Sequence, residues 1–444
     1  MSSVMELYRR LDGTDCACGK KHVTSVKEVI IGDGVIAQLP EVLARYGVKK
    51  PFLLADPNTW KAAGEKVFAA LEGAGIASSR YVFESGELEP DEHTVGSAVM
   101  HMDYSCDGVI AIGSGVINDT GKILSSMTKT PYIVVGTAPS MDGYASKTSS
   151  MSRDGLKVSI NTRCADVIIG DLDVLCDAPE KLLISGLGDM LAKYVSICEW
   201  RIARLLVGEP YCEAIASLVR ASLDVCVKNA GALMNRDKEA VKAVFEGLVV
   251  CGAAMEFAGL SRPASGVEHY FSHVWDMRGL EFGEPVSTHG IQCAIGTLLA
   301  LRLYEKIREL SPDRDKALAY ASAFDFAAWS DELRSFLGTG AQAMIRAEAK
   351  EGKYDLAKHA ARLETILSRW DDLLAIMNEE LPAAGEIEQL LKTIGAPATM
   401  EEIGLNSEIL PMSFKATKDI RDKYVLSRLC WDLGVLDEMA QSLK

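Results

Sequence analysis

GVIAIGSGVINDTGK, Gly108 to Lys122, reads as a strand that stops in Gly113-Ser114-Gly115 and turns straight into a helix. Val109 to Ile112 is continuously apolar, which suits a strand buried on both faces and so a parallel sheet covered by helices. The same texture extends on either side. KEVIIGDG and KPFLLADP precede it, SRYVF and PYIVVGTAPS flank it, and each run ends in Gly, Asp or Pro or opens onto the next. Between them TWKAAGEKVFAALEGAG has helical periodicity closed by Gly73 and Gly75, and a further helix is predicted around residues 91–104. Residues 1–180 therefore predict an α/β domain with a parallel, Rossmann-like sheet.

From about Pro179 the pattern changes. KLLISGLGDMLAKYVSICEWRIARLL, EAVKAVFEGLVVCGAAMEFAG and GIQCAIGTLLALRLYEKIREL are long helical patterns, and no strand is predicted beyond them. Residues 181–444 predict an all-α domain that binds metal and substrate, with the charged stretch 335–395 as solvated surface helices. No internal repeat and no low-complexity linker occurs. The apolar helices predict a homodimer or a larger homo-oligomer.

Glycines at a strand's carboxyl end let backbone amides approach a pyrophosphate, and the following helix adds favourable partial charge. The segment departs from the dinucleotide fingerprint, because Asn118 stands where a third glycine belongs; a tight turn that binds nothing is the alternative. Asp56 ends the strand FLLAD, where a carboxylate can accept ribose hydroxyls and repel a 2′-phosphate. That favours NAD(H) over NADP(H), with Lys61 nearby weakening the preference. Asp56 is equally a turn residue before Pro57. TAPSMDGYASK, Thr137 to Lys147, offers hydroxyls at Thr137, Ser140 and Ser146 for the nicotinamide half, and a carboxylate at Asp142.

SGVEHYFSH, Ser265 to His273, places His269 and His273 four residues apart on one helical face, and STHG adds His289. The chain has seven histidines, and three fall within this short region. Asp189 lies among Leu187, Met190, Leu191, Tyr194 and Cys198, where a buried carboxylate needs a compensating cation. One carboxylate with two or three imidazoles is a divalent-metal set, and the spacing alone does not choose among the histidines. Tyr270 follows His269, so this is not the zinc-protease HExxH pattern.

A net charge of −15 argues against a nucleic-acid or anionic-membrane surface, since both need a basic patch. No apolar run is long enough to span a bilayer and the opening has no apolar signal core, so a cytoplasmic location without membrane insertion is expected. Eleven cysteines scattered through apolar segments read as small buried hydrophobes in a reducing compartment. The exception is CACGKKH, where Cys16, Cys18 and His22 offer a soft-metal cluster with no evident fourth ligand, or a polar turn.

Together these motifs resemble the glycerol-1-phosphate dehydrogenase family, its bacterial AraM-like branch, within the iron-containing alcohol dehydrogenase and dehydroquinate synthase-like superfamily. The resemblance runs from CACGKKH through GSGVINDTGK, TAPSMDGYAS, GLGDMLAKY and SGVEHYFSH to DKYVLSRLCWDLGVLDEMA, nearly the whole chain. It implies a divalent metal, Zn or Ni, on Asp189, His269 and His289, with His273 turned to substrate. It implies NAD(H) or NADP(H) contacts at Asp56, Gly113, Ser114, Gly115, Val116, Ile117, Thr137, Ala138, Pro139, Ser140 and Ser146. Substrate contacts are implied at Asp142 and Asp189. Ser114 stands where relatives often carry the middle glycine of a triplet.

The implied reaction is reversible reduction of dihydroxyacetone phosphate to sn-glycerol 1-phosphate, with His273 or Asp142 relaying the proton. Lys193, four residues after Asp189, is the first candidate cation for the substrate phosphate, and Lys157 the second. A polyol (glycerol) dehydrogenase and a dehydroquinate-synthase-like cyclase are the alternatives within the superfamily. The cyclase family carries Glu where this chain has Asp189. A facial-triad oxygenase would place its ligands on strands, and a non-catalytic metal or nucleotide sensor would show no turnover.

Overall fold

The structure is a computed structural model that describes residues 3–153 and 156–444. The side chains of Leu156 and Lys157 lie outside that description, and with them the second candidate phosphate cation. The chain forms two compact units, residues 1–190 with 217–260, and residues 191–216 with 261–444.

In the first unit β1 (Glu28–Gly32), β2 (Pro51–Ala55), β3 (Ser79–Val82), β4 (Gly108–Gly113), β5 (Tyr132–Gly136) and β8 (Val167–Asp171) form one sheet in the order β1-β8-β5-β4-β2-β3. Every pairing is parallel, with Leu54 opposite Ala111 and Gly113 opposite Gly136. The four inner strands are buried throughout, whereas β1 and β3, at the two edges of the sheet and each paired on one side only, are partly exposed. The predicted α/β class and parallel sheet are present. An antiparallel hairpin, β6 (Thr148–Arg153) with β7 (Leu156–Asn161), was not anticipated.

Six helices carry or flank the candidate site residues: α1 (Gly115–Thr128), α2 (Glu180–Leu191), α3 (Lys193–Val207), α4 (Lys238–Ala258), α5 (Val267–Phe282) and α6 (His289–Arg308). One sheet face packs Leu53, Ile110, Ile112, Val135 and Ile169 against Leu43, Val67 and Leu71 of flanking helices. Across the sheet, α4 sets the Phe245 ring over β5 and β8. Gly136 and Gly170 lie beneath it, and a Cβ at either would collide with that ring. The stretch predicted as one helix from Lys181 to Leu206 is two, α2 and α3, with Ala192 between them.

The second unit is helical among its described residues. Trp200, Trp275 and Trp431 are fully buried in it, and Phe271 stacks on Phe414 at 6.0 Å between centroids. Helices in the stretch expected to be solvated also bury Leu363, Leu373, Met377 and Leu391 completely, so their charged positions form only the outer faces. Helix α5 approaches α6 closely because Gly296 has no side chain; a Cβ there would stand 2.6 Å from the Glu268 carbonyl oxygen.

Candidate active site

Chain order reverses between β2 and β4. β2 continues outward to β3, while β4 continues the other way to β5 and β8, so the crevice beyond the carboxyl ends of β2 and β4 is the expected ligand site. Asp56 is the first residue past β2, and Gly113 is the last of β4. Thr137, Ala138, Pro139 and Ser140, all buried, follow β5 next door. The sequence-predicted nucleotide residues on these three strand ends are thus neighbours in one unit.

At the amino end of α1, Ser114 makes no side-chain cap, and the first turn carries no acidic residue. A Cβ on Gly115 would meet nothing within 4 Å, whereas one on Gly113 would stand 2.6 Å from the Ile117 Cβ. Gly113 is therefore a packing glycine, and Gly115 leaves space over free amides, where an anion is favoured by the helix dipole. Asp56 Oδ1 caps the following turn by accepting from the Asn58 and Thr59 amides at 2.8 and 2.9 Å. Oδ1 alone makes this cap.

The loop after β5 is fixed from two sides. Lys122 of α1, fully buried, donates to the carbonyls of Gly143 at 2.6 Å and Thr148 at 3.0 Å, and pairs with Asp119 at 3.1 Å. From α2, the Ser185 hydroxyl donates to the Ser140 carbonyl at 3.0 Å. A Cβ on Gly186 would land on the Pro139 carbonyl oxygen, so α2 abuts the loop only because that residue is glycine. One turn later Asp189, fully buried, accepts the Asp142 amide at 2.9 Å. Ser146 lies just past the short turn Asp142–Ala145, its hydroxyl accepting the Thr148 amide at 3.1 Å.

In the second unit the α5–α6 contact sets the His269 and His289 rings 5.0 Å apart, and His273 stands 6.4 Å from His289. One ligand atom from each of His269, His289 and Cys293 lies within 4.8 Å of the others. His269 Nδ1 is 2.9 Å from Glu268 Oε1, and His289 Nδ1 is 3.1 Å from the Ser272 hydroxyl, which also donates to Gln292 Oε1 at 2.6 Å. A carboxylate or hydroxyl on Nδ1 is the arrangement that orients metal-binding imidazoles and leaves Nε2 to the ion. Glu268 Oε2 is buried with no hydrogen-bond partner, a negative charge that a nearby dication would offset. The donor set in this unit fits a divalent metal.

Sequence reasoning missed Glu268, Ser272 and Cys293. Cys293 carried a legible signal, four residues after His289 on one helix, and Glu268 directly precedes His269. Lys193 opens α3 and does not share a helix with Asp189, which corrects the expected common face; its ammonium is buried and donates to the Ala264 carbonyl at 3.1 Å. Glu199 accepts amides from Val267 and Leu426, and burial, with the charge of Glu268, pushes its carboxyl up to about 8. Burial, with the charge of Arg262, brings Lys423 down to about 7 while it donates to the Ser265 carbonyl at 2.7 Å.

The profile of the iron-containing alcohol dehydrogenase family matches residues 30–179. A glycerol-1-phosphate dehydrogenase (NAD(P)+) of Halalkalibacterium halodurans is 28% identical, over 96% of this chain and 97% of its own length. One from Thermococcus kodakarensis is 33% identical, over 64% of this chain and 80% of its own. Among solved structures, glycerol dehydrogenase of Schizosaccharomyces pombe superposes with a TM-score of 0.61 at 18% identity, covering 95% of this chain and 91% of that one. That likeness establishes the fold, a dehydroquinate synthase-like architecture.

Proposed function

The chain belongs to the glycerol-1-phosphate dehydrogenase family, oxidoreductases, and from that premise we propose that it reduces dihydroxyacetone phosphate reversibly to sn-glycerol 1-phosphate with NADH or NADPH. The observation that carries this reading is the imidazole pair, with Glu268 and Ser272 holding the Nδ1 sides of His269 and His289.

Asp189, His269 and His289 would hold a zinc or nickel ion, which as a Lewis acid would polarise the ketone. The remaining roles fall to the chain itself. The amides of Gly115, Val116 and Ile117 at the amino end of α1 receive the pyrophosphate, with Gly113 and Ser114 shaping the turn. Asp56 Oδ2, uninvolved in the cap, accepts the ribose hydroxyls. Thr137, Ala138, Pro139, Ser140 and Ser146 hold the nicotinamide half. Asp142 binds a substrate hydroxyl or relays a proton, a role it shares with His273. Lys193 supplies positive charge for the substrate phosphate. Residues 1–180 serve the dinucleotide and 181–444 the metal and substrate. A cytoplasmic homo-oligomer completes the reading.

The test is NADH and NADPH oxidation by the metal-loaded protein with dihydroxyacetone phosphate, compared with dihydroxyacetone. Turnover confined to the phosphorylated ketone is expected. Equal turnover of both would make it a polyol dehydrogenase, and no net coenzyme oxidation would favour a cyclase. His289→Ala should lose bound metal and activity together; full activity in that variant would refute the assignment.

A further inference from the structure

Cys16, Cys18 and His22 form a cluster that the dehydrogenase reading leaves unused. The chain makes a knuckle here. Asp15 and Lys21 form an antiparallel bridge, the Cys16 amide donates to the Lys20 carbonyl at 3.0 Å, and the Gly19 amide donates to the Cys16 carbonyl at 2.9 Å. Gly19 has φ +81°, a conformation that a side chain would disfavour, so the turn depends on CxCG. The knuckle brings one ligand atom from each of the three residues within 4.8 Å of the others.

The imidazole is the second observation. His22 is 1% exposed, and its Nδ1 lies 3.1 Å from the Phe257 carbonyl at the end of α4. A carbonyl only accepts, so Nδ1 carries the hydrogen and Nε2 presents a lone pair, 3.3 Å from Cys18 Sγ. Zinc bonds of about 2.3 Å to sulfur and about 2.0 Å to nitrogen put two tetrahedral ligands about 3.5 Å apart, so the observed separation is that of two ligands on one ion. A backbone carbonyl on the far ring nitrogen is the device that fixes metal-binding histidines.

We propose that Cys16, Cys18 and His22 bind a thiophilic ion, zinc foremost, in a structural site that uses none of the candidate active-site residues. Water or a further donor fills the remaining position. The ion clips the segment before β1 onto α4, to which Thr24 and Ser25 already bind through Glu256, Thr24 at 2.9 Å.

The experiment strips the full-length, reduced protein with chelator and titrates it with cobalt(II). A thiolate-to-cobalt charge-transfer band in the near ultraviolet is expected, retained in His289→Ala and lost in Cys16→Ser/Cys18→Ser. His22→Cys should keep the ion and strengthen the band, which a merely packed imidazole would not do. The double serine variant should carry less zinc than the parent by a single ion, with lower thermal stability and undiminished coenzyme oxidation. Absence of the band, its survival in the double variant, or quantitative recovery of Cys16 and Cys18 as a disulfide from the native protein would overturn the proposal.

Discussion

Glu268 Oε1 lies 2.9 Å from His269 Nδ1, and the same oxygen accepts the Gly266 amide at 2.6 Å, so one buried carboxylate fixes both the start of α5 and the orientation of its imidazole. Glu268→Gln keeps an oxygen in place and removes the charge. Metal affinity should fall about 10- to 100-fold, with secondary structure intact, because the ring loses the partner that raises its basicity. Metal titration followed by kcat measurement at saturating metal separates this from a direct catalytic loss; unchanged affinity would place Glu268 outside the metal's support.

The two glycines flanking Ser114 should behave oppositely. Gly113→Ala drives a methyl into Ile117 and should cost about 1–3 kcal/mol of stability. Gly115→Ala meets nothing within 4 Å and should leave Tm nearly unchanged while weakening NADH binding, since the methyl occupies the space above the α1 amides. Thermal melts and coenzyme fluorescence titrations check both.

Gly186→Ala tests the α2 contact. The added methyl collides with the Pro139 carbonyl oxygen, which is backbone and cannot swing aside, so α2 or the Thr137–Ser140 loop must shift. A stability loss of about 1–3 kcal/mol and a raised KM for coenzyme are expected. A variant as stable and as active as the parent would mean that helix and loop can separate at no cost.

Glu199 predicts a pH dependence. Burial lifts its folded-state pKa to about 8, above its unfolded value, so the native state holds the proton more tightly. Its contribution is fully present below the unfolded pKa, near 4.5, and is lost as pH rises through about 8, with a slope of at most about 1.4 kcal/mol per pH unit. The parent should therefore lose stability relative to Glu199→Gln across that window in urea unfolding. Parallel pH profiles for the two proteins would contradict the assignment.

The sheet was legible because VIAI, FLLA and YIVV are unbroken apolar runs that only a doubly covered strand explains. The β6–β7 hairpin was not, since TSSMSR and LKVSIN lack that density. Nothing local announces the break at Ala192 either: leucine, alanine and lysine all favour helix, so the change from α2 to α3 is imposed by packing. The histidines stood out by spacing and the resemblance chose among them; the close approach at Gly296 that sets the His269 and His289 rings side by side joins residues distant in sequence and was not legible. Lys193 was placed by helical arithmetic that the break invalidates. Glu268 escaped notice because a carboxylate beside a histidine in sequence ordinarily points elsewhere on a helix.

Lys122 has all three ammonium hydrogens engaged by Asp119, Gly143 and Thr148 in a fully buried position. An amine so occupied and so enclosed is out of reach of acylating reagents unless the segment around it moves. Its labelling rate is therefore a clock for breathing of the 142–148 segment, readable by mass spectrometry without any inserted probe.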